Sequence, residues 1–110
     1  MSMNTFDFGH GPVPAHQHSN GGGWVADTAT VADTAYVGPD AKVFDNASVL
    51  DNARVFGNAI VFDNASVSDN ASVLDNARVS GKAIVFDNAI VFGNAIVFGD
   101  AKVSGDAVLS

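Results

Sequence analysis

Three histidines near the start of the chain are the residues best suited to bind a metal ion or to transfer a proton. They are His10, His16 and His18. In an extended segment, His16 and His18 form an H-x-H pair with both rings on one side, and such pairs can bind zinc or iron. The competing interpretation is a polar loop with surface histidines. We predict that no metal is bound, with a site at these histidines as the alternative.

Other groups for catalysis are scarce. The chain has no cysteine, all twelve acidic residues are aspartates, and no histidine follows His18. The sequence therefore contains no Ser–His or Cys–His arrangement, no paired glutamates and no phosphate-binding loop motif. These absences predict a protein that is not an enzyme and that uses no cofactor.

A six-residue repeat occupies residues 25–110. Its consensus, V-x-D-N-A-x, stands unaltered at residues 43–48. Valine fills the first position of fourteen consecutive units, Leu109 opens a fifteenth, and alanine fills the fifth position throughout. A repeat this strict, with no insertion, predicts a solenoid.

The order of residues within the repeat predicts a short strand followed by a corner. The alanine at position five and the valine that opens the next unit are two residues apart, so their side chains share a face. The D-N or G-N pair at positions three and four interrupts the strand, because Asn and Gly enter left-handed backbone conformations at low cost. Three corners close a triangle, so eighteen residues make one coil around a core of Val and Ala. Successive coils should pair strand over strand at about 4.8 Å.

This pattern, an aliphatic residue with a small residue two places before it, resembles the hexapeptide-repeat left-handed β-helix family. The resemblance covers residues 25–110 and implies an all-β fold, a single-stranded left-handed parallel β-helix (β-solenoid) with triangular coils of 18 residues. Many members of the family are acyltransferases with a histidine near a subunit groove, and some are carbonic anhydrases that hold zinc with histidines on the coils. This chain has the repeat without those histidines.

Residues 1–24 form a non-repetitive N-terminal segment, which we expect to cap the first coil or to clasp a neighbouring subunit. Pro12 and Pro14 predict that it contains no regular strand, and the glycines at 21–23 predict a flexible junction. The lead-in N-G-G-G-W-V at residues 20–25 resembles the start of uncharacterised bacterial and phage hexapeptide proteins. That resemblance implies no activity.

Large apolar residues fill many of the second and sixth positions, which face away from the core. Soluble monomers rarely expose contiguous apolar patches of this kind. We therefore predict that the protein associates with itself through these side chains, through the N-terminal aromatic residues and through Leu109 of the inward column. The predicted interface consists of Phe44, Phe56, Phe62, Phe86, Phe92, Phe98, Ile84, Ile90, Ile96, Leu109, Trp24, Phe6 and Phe8.

Corner residues eighteen apart should stack into columns along the solenoid. One column reads Asp33, Asp51, Asp69 and Asp87. Carboxylates about 4.8 Å apart repel one another or hold cations such as calcium between them. In the alternative, each aspartate caps its own turn and water screens the charge.

The charge of the chain bears on its partners. The net charge is −7 and no basic patch is present, which argues against binding to nucleic acid. No signal peptide and no long apolar run are found, so we expect no membrane span. Cytoplasm is the default location, and an extracellular or virion surface reached by another export route is the alternative.

The repeat is still in register at Leu109, with no polar cap, helix or proline after it. We expect copies to stack head to tail into filaments or a homo-oligomer, with the N-terminal segment bound to the adjacent subunit. The predicted function is structural self-assembly. The alternatives are a hexapeptide-type, acyltransferase-like enzyme and a metal-binding tip, both of which would use the N-terminal histidines.

Overall fold

The computed structural model describes residues 4–110, which form seventeen short strands. These residues contain no helix, and so no helix long and apolar enough to cross a membrane. A hairpin comes first, with β1 at Thr5–Asp7 and β2 at Pro12–Gln17, and β3 follows at Trp24–Ala26. Strands β4 to β17 are Thr30–Val31, Tyr36–Val37, Lys42–Val43, Ser48–Val49, Arg54–Val55, Ile60–Val61, Ser66–Val67, Ser72–Val73, Arg78–Val79, Ile84–Val85, Ile90–Val91, Ile96–Val97, Lys102–Val103 and Val108–Leu109.

Three parallel sheets form the sides of the solenoid. Sheet I contains β3, β6, β9, β12 and β15, sheet II contains β4, β7, β10, β13 and β16, and sheet III contains β5, β8, β11, β14 and β17. Paired residues are eighteen apart, as in the pairs Val43 with Val61 and Val49 with Val67. The predicted all-β solenoid with coils of eighteen residues is therefore confirmed.

Valine and alanine fill the interior, as the repeat predicts. Every first-position valine from Val37 to Val91 is fully buried, and the fifth-position alanines between them are buried with them. Burying a valine side chain contributes about 1.5–3 kcal/mol before the entropy of ordering is subtracted. The two inward columns therefore carry the hydrophobic stabilisation of the coils.

A tight turn forms each corner. In the unit at residues 43–48, the backbone N–H of Ala47 donates to the carbonyl of Phe44 at 3.3 Å, and Asp45 between them has a φ of 58°. From this unit onward, the left-handed residue is the Asp or Gly at position three and not the Asn at position four, which corrects our assignment to Asn and Gly. The position-three residues of the first three units, Asp27, Asp33 and Pro39, are not left-handed. Aspartate tolerates this conformation because its short polar side chain can form local hydrogen bonds. The left-handed corner residues are Asp45, Asp51, Asp63, Asp69, Asp75, Asp87, Gly57, Gly81, Gly93, Gly99 and Gly105.

The N-terminal hairpin extends sheet I beyond the first coil. Strand β2 pairs antiparallel with β1 and with β3, so the expectation that Pro12 and Pro14 exclude a regular strand is wrong. The backbone N–H of Ala15 donates to Asn4 on the β1 side, so the two proline nitrogens face the β3 side. On that side the backbone N–H of Asp27 donates to the carbonyl of Pro14 at 2.9 Å. The ladder uses the carbonyl of Pro14 and ends there, so the missing proline N–H groups do not interrupt it.

The loop that links β2 to β3 covers the top of sheet III. The backbone N–H of Val37 donates to Asn20 at 3.0 Å, and the N–H of Gly23 donates to Val37 at 3.0 Å. A Cβ atom on Gly21 would collide with the carbonyl of Val37, and one on Gly23 would collide with the carbonyl of Gly38 and the side chain of Val37. These glycines permit close packing, so the flexible junction predicted from the sequence is instead a tight contact.

Candidate functional site

Five of the predicted interface residues contact one another within the chain and form an aromatic stack. Phe6 lies 4.9 Å from Trp24 and 4.7 Å from Phe8, measured between ring centroids. Phe8 stacks on Phe44 at 4.8 Å, and Phe44 stacks on Phe62 at 5.1 Å. This stack packs the hairpin against the first coil of its own chain.

The other predicted interface residues differ in exposure along the solenoid. Those with neighbours above and below are largely covered, whereas those in the last coils are open. Ile96 is 62% exposed, Phe98 67% and Leu109 39%, and Val108, which was not among the predicted residues, is 59% exposed. We call these four residues the apolar end. Ile90 is exposed, and the half-buried members of the predicted interface are Phe6, Phe8, Trp24, Phe56, Phe62, Ile84, Phe86 and Phe92.

Unpaired strand edges lie at the same end of the solenoid. Within residues 4–110, strands β15, β16 and β17 each pair with one neighbour only, so each offers backbone N–H and C=O groups on its other side. At the opposite end, β2 covers β3 and the β2–β3 loop covers β5, while β4 has an edge that no other described strand pairs with. The two ends therefore differ in both hydrogen-bonding capacity and apolar exposure.

The three histidines have separate surroundings. His10 is exposed at the hairpin tip, whereas His16 Nδ1 lies 2.8 Å from Asp27 Oδ1. His18 is buried, and its Nε2 donates to the carbonyl of Ala35 at 2.8 Å. The rings of His16 and His18 thus have different partners, because the chain turns away after β2.

Metal-ligating side chains do not cluster in the described part of the chain. Within residues 4–110, no group of three His, Cys, Asp or Glu side chains could hold a metal ion. The metal alternative at His10, His16 and His18 stays a prediction that this arrangement does not favour.

The corner aspartates hold successive coils together. Asp51 Oδ2 accepts the backbone N–H of Asp69, and Asp69 Oδ2 accepts that of Asp87, at 3.3 and 3.1 Å. Asp45, Asp63, Asp75 and Asp87 make the same bond to the residue eighteen positions later. Each carboxylate therefore caps the turn of the next coil and not its own turn, a role that the sequence analysis missed.

A groove lies between the hairpin and the corner that follows sheet I. The hairpin contributes the apolar residues Phe8, Val13 and Pro14 together with His10. The corner contributes Asp27, Asp45 and Asp63. The groove has a volume of about 790 Å³, and Lys82 lies at its lower end. The aspartates are eighteen apart in the sequence, but no local signal indicated that a hairpin would lie against them.

Comparison with known proteins agrees with the fold. A family model described as the YdcK beta solenoid repeat matches residues 53–69, in the middle of the solenoid. No curated protein and no solved structure matches the chain. The match supports a β-solenoid repeat and carries no statement about activity.

Proposed function

We propose that this chain is a structural β-solenoid of the hexapeptide-repeat type, not an enzyme, and that its partner is a second copy of itself. The supporting observation is that the exposed side chains of the apolar end lie beside the unpaired edges of β15, β16 and β17. The net charge of −7 makes nucleic acid an unsuitable partner.

The apolar end offers both kinds of interaction that a further layer of strands needs. Edge strands are templates for pairing with another chain. Burying an Ile, Val, Leu or Phe side chain contributes about 1.5–3 kcal/mol when the burial is complete. Two copies would cover eight such side chains, against an association cost of about 4–15 kcal/mol. We therefore expect a weak to moderate affinity.

The difference between the two ends of the solenoid favours the pairing of one apolar end with the apolar end of a second copy. The hairpin and the β2–β3 loop cover most of the opposite end, so head-to-tail stacking requires their displacement. Two copies related by a two-fold axis bring their apolar ends together with the hairpins outward. Such an isologous contact closes on itself, so it gives a dimer and not a fibre. We propose the dimer as the main form, and filaments only where the hairpin is displaced.

Sedimentation velocity of residues 1–110 over a range of concentrations tests this proposal. We expect a monomer–dimer equilibrium that Leu109→Lys shifts strongly towards monomer, because the two-fold axis brings two added charges close together. Leu50→Lys is the matched control, since Leu50 is 37% exposed in the middle of the solenoid and should leave the dimer intact.

Two results would contradict the proposed contact. A wild-type chain that stays monomeric at every concentration would exclude self-association. Equal effects of the two lysine substitutions would show that the contact lies elsewhere. Fibres on electron microscopy grids would instead favour head-to-tail stacking over the closed dimer.

A further inference from the structure

We propose that the groove between the hairpin and the sheet I corner binds a linear aliphatic polyamine. This inference does not depend on self-association, because the groove lies at the hairpin end of the solenoid. Its volume of about 790 Å³ is within the range of small-molecule sites, which is about 300–1,000 Å³.

The polar wall of the groove is a row of carboxylates with unused acceptor capacity. Asp45 and Asp63 each use Oδ2 to accept a backbone N–H from the next coil. Asp27 uses Oδ1 in its contact with His16. The second oxygen of each carboxylate has no hydrogen bond to another residue of the described chain. Three anionic acceptors therefore face one side of the groove.

The spacing of these carboxylates follows from the coils. Asp45 and Asp63 occupy the same left-handed corner position in successive coils, so they are separated by about 4.8 Å. Asp27 holds the equivalent position of the repeat one coil earlier, where the backbone is not left-handed. Ammonium groups joined by three or four methylenes have a comparable separation. An extended polyamine lying along the solenoid axis can thus place successive ammonium groups beside successive carboxylates.

The opposite wall suits the methylene segments of such a ligand. Phe8, Val13 and Pro14 are apolar, and Phe8 is held in place by its stacking on Phe44. A simple metal cation has no apolar part and would make no use of this wall. Lys82 ends the acidic row, so the site should accept a short chain of amines and not an indefinitely long one.

The molecule contains an internal comparison for this site. The corner after sheet II carries Asp51, Asp69 and Asp87 with the same coil-to-coil hydrogen bonds. The groove along that corner is lined by Asp, Asn and Gly, with no aromatic or proline wall. If charge alone attracted polyamines, both columns would bind equally. The proposal requires a clear preference for the column beside the hairpin.

Calorimetric titration of the full chain with spermine, at low ionic strength, tests the proposal. We expect one saturable site per chain. Asp63→Asn should weaken binding about two- to five-fold, the effect of losing one exposed charge pair. Asp69→Asn should leave it unchanged. Both variants keep an oxygen acceptor for the next coil and a residue type that tolerates the left-handed conformation. Both should therefore fold, and circular dichroism checks this.

Two further measurements separate the contributions of the walls. Val13→Ser removes an exposed apolar group of the hairpin wall and should also weaken spermine binding. A diamine of the same length, 1,12-diaminododecane, should bind more weakly because it lacks the inner ammonium groups. Absence of saturable spermine binding, equal losses in the two Asp→Asn variants, or equal competition by magnesium ions would each overturn the proposal.

Discussion

The same position of the repeat is buried at one end of the solenoid and exposed at the other. Phe44 and Phe98 both occupy the second position of a unit that follows a sheet I strand. Phe44 lies between Phe8 and Phe62 and is 8% exposed. Phe98 follows Ser80 of the preceding coil and is 67% exposed. The difference arises from the stacking neighbours and not from the repeat.

This comparison shows that an outward position in the repeat has no fixed burial. A ring becomes part of a hydrophobic cluster when both of its vertical neighbours are aromatic, since stacked rings cover one another. At the hairpin end these neighbours come from outside the repeat. An apolar residue on a solenoid face thus indicates an interface only where its vertical neighbours leave it uncovered.

Single-residue insertions should give the largest difference in stability between the solenoid and the hairpin. One extra residue after Asn64 turns Val67 and every later first-position valine away from the core. We expect loss of most of the cooperative thermal unfolding transition monitored by circular dichroism. The matched insertion between Gly9 and His10, at the exposed hairpin tip, should cost less than about 1 kcal/mol. Similar effects of the two insertions would contradict the solenoid register.

Alanine substitutions at the two ends should differ by an intermediate amount in their effect on the free energy of unfolding. Phe8→Ala removes two aromatic contacts, each worth about 0.5–1.5 kcal/mol beyond area burial, so we expect the free energy of unfolding to fall by at least about 1–3 kcal/mol. Phe98→Ala should change stability by no more than about 0.5 kcal/mol. Urea unfolding at a low protein concentration, where association is negligible, measures both. A larger loss for Phe98→Ala would refute the stacking explanation.

Substitutions at Asp69 should have the smallest effects and test the coil-to-coil hydrogen bonds. Asp69→Asn keeps both an acceptor and a tolerance for positive φ, so it should be nearly neutral. Asp69→Gly loses the acceptor for the N–H of Asp87, at a cost of about 1 kcal/mol. Asp69→Ala also places a Cβ in a left-handed conformation, which adds about 1–2 kcal/mol. If Ala proved as stable as Asn in thermal unfolding, neither role could be correct.

The fold could be predicted from the sequence because its determinants are local and repeated. Position within the hexad fixes both the burial of the Val and Ala side chains and the eighteen-residue register, and fourteen units repeat the same information. The corner chemistry was predicted less well. Aspartate and asparagine are neighbours in every consensus unit, and only the backbone geometry reveals that Asp45 and its equivalents take the left-handed conformation.

The hairpin and the groove could not be predicted because they depend on contacts between distant residues. Two prolines argue against a strand until it is known that the ladder on their side ends at the carbonyl of Pro14, which accepts the N–H of Asp27. Likewise, Gly21 and Gly23 indicate flexibility until Val37 is placed against them. One local signal was available in the sequence, an aspartate followed by two glycines at Asp7, Gly9 and Gly11, which is typical of a turn. In the structure Asp7 Oδ1 accepts the N–H groups of both glycines.

The left-handed corners also influence how this sequence can change over generations. Aspartate, asparagine and glycine codons are linked by single-base substitutions between Asp and Asn and between Asp and Gly. Corner aspartates have φ values of 58–61° and corner glycines have φ values of 61–65°, so either residue keeps the bend. Point mutations can therefore add or remove negative charges along an edge while the coils keep their shape. Selection can adjust the electrostatic surface of this protein almost independently of its architecture.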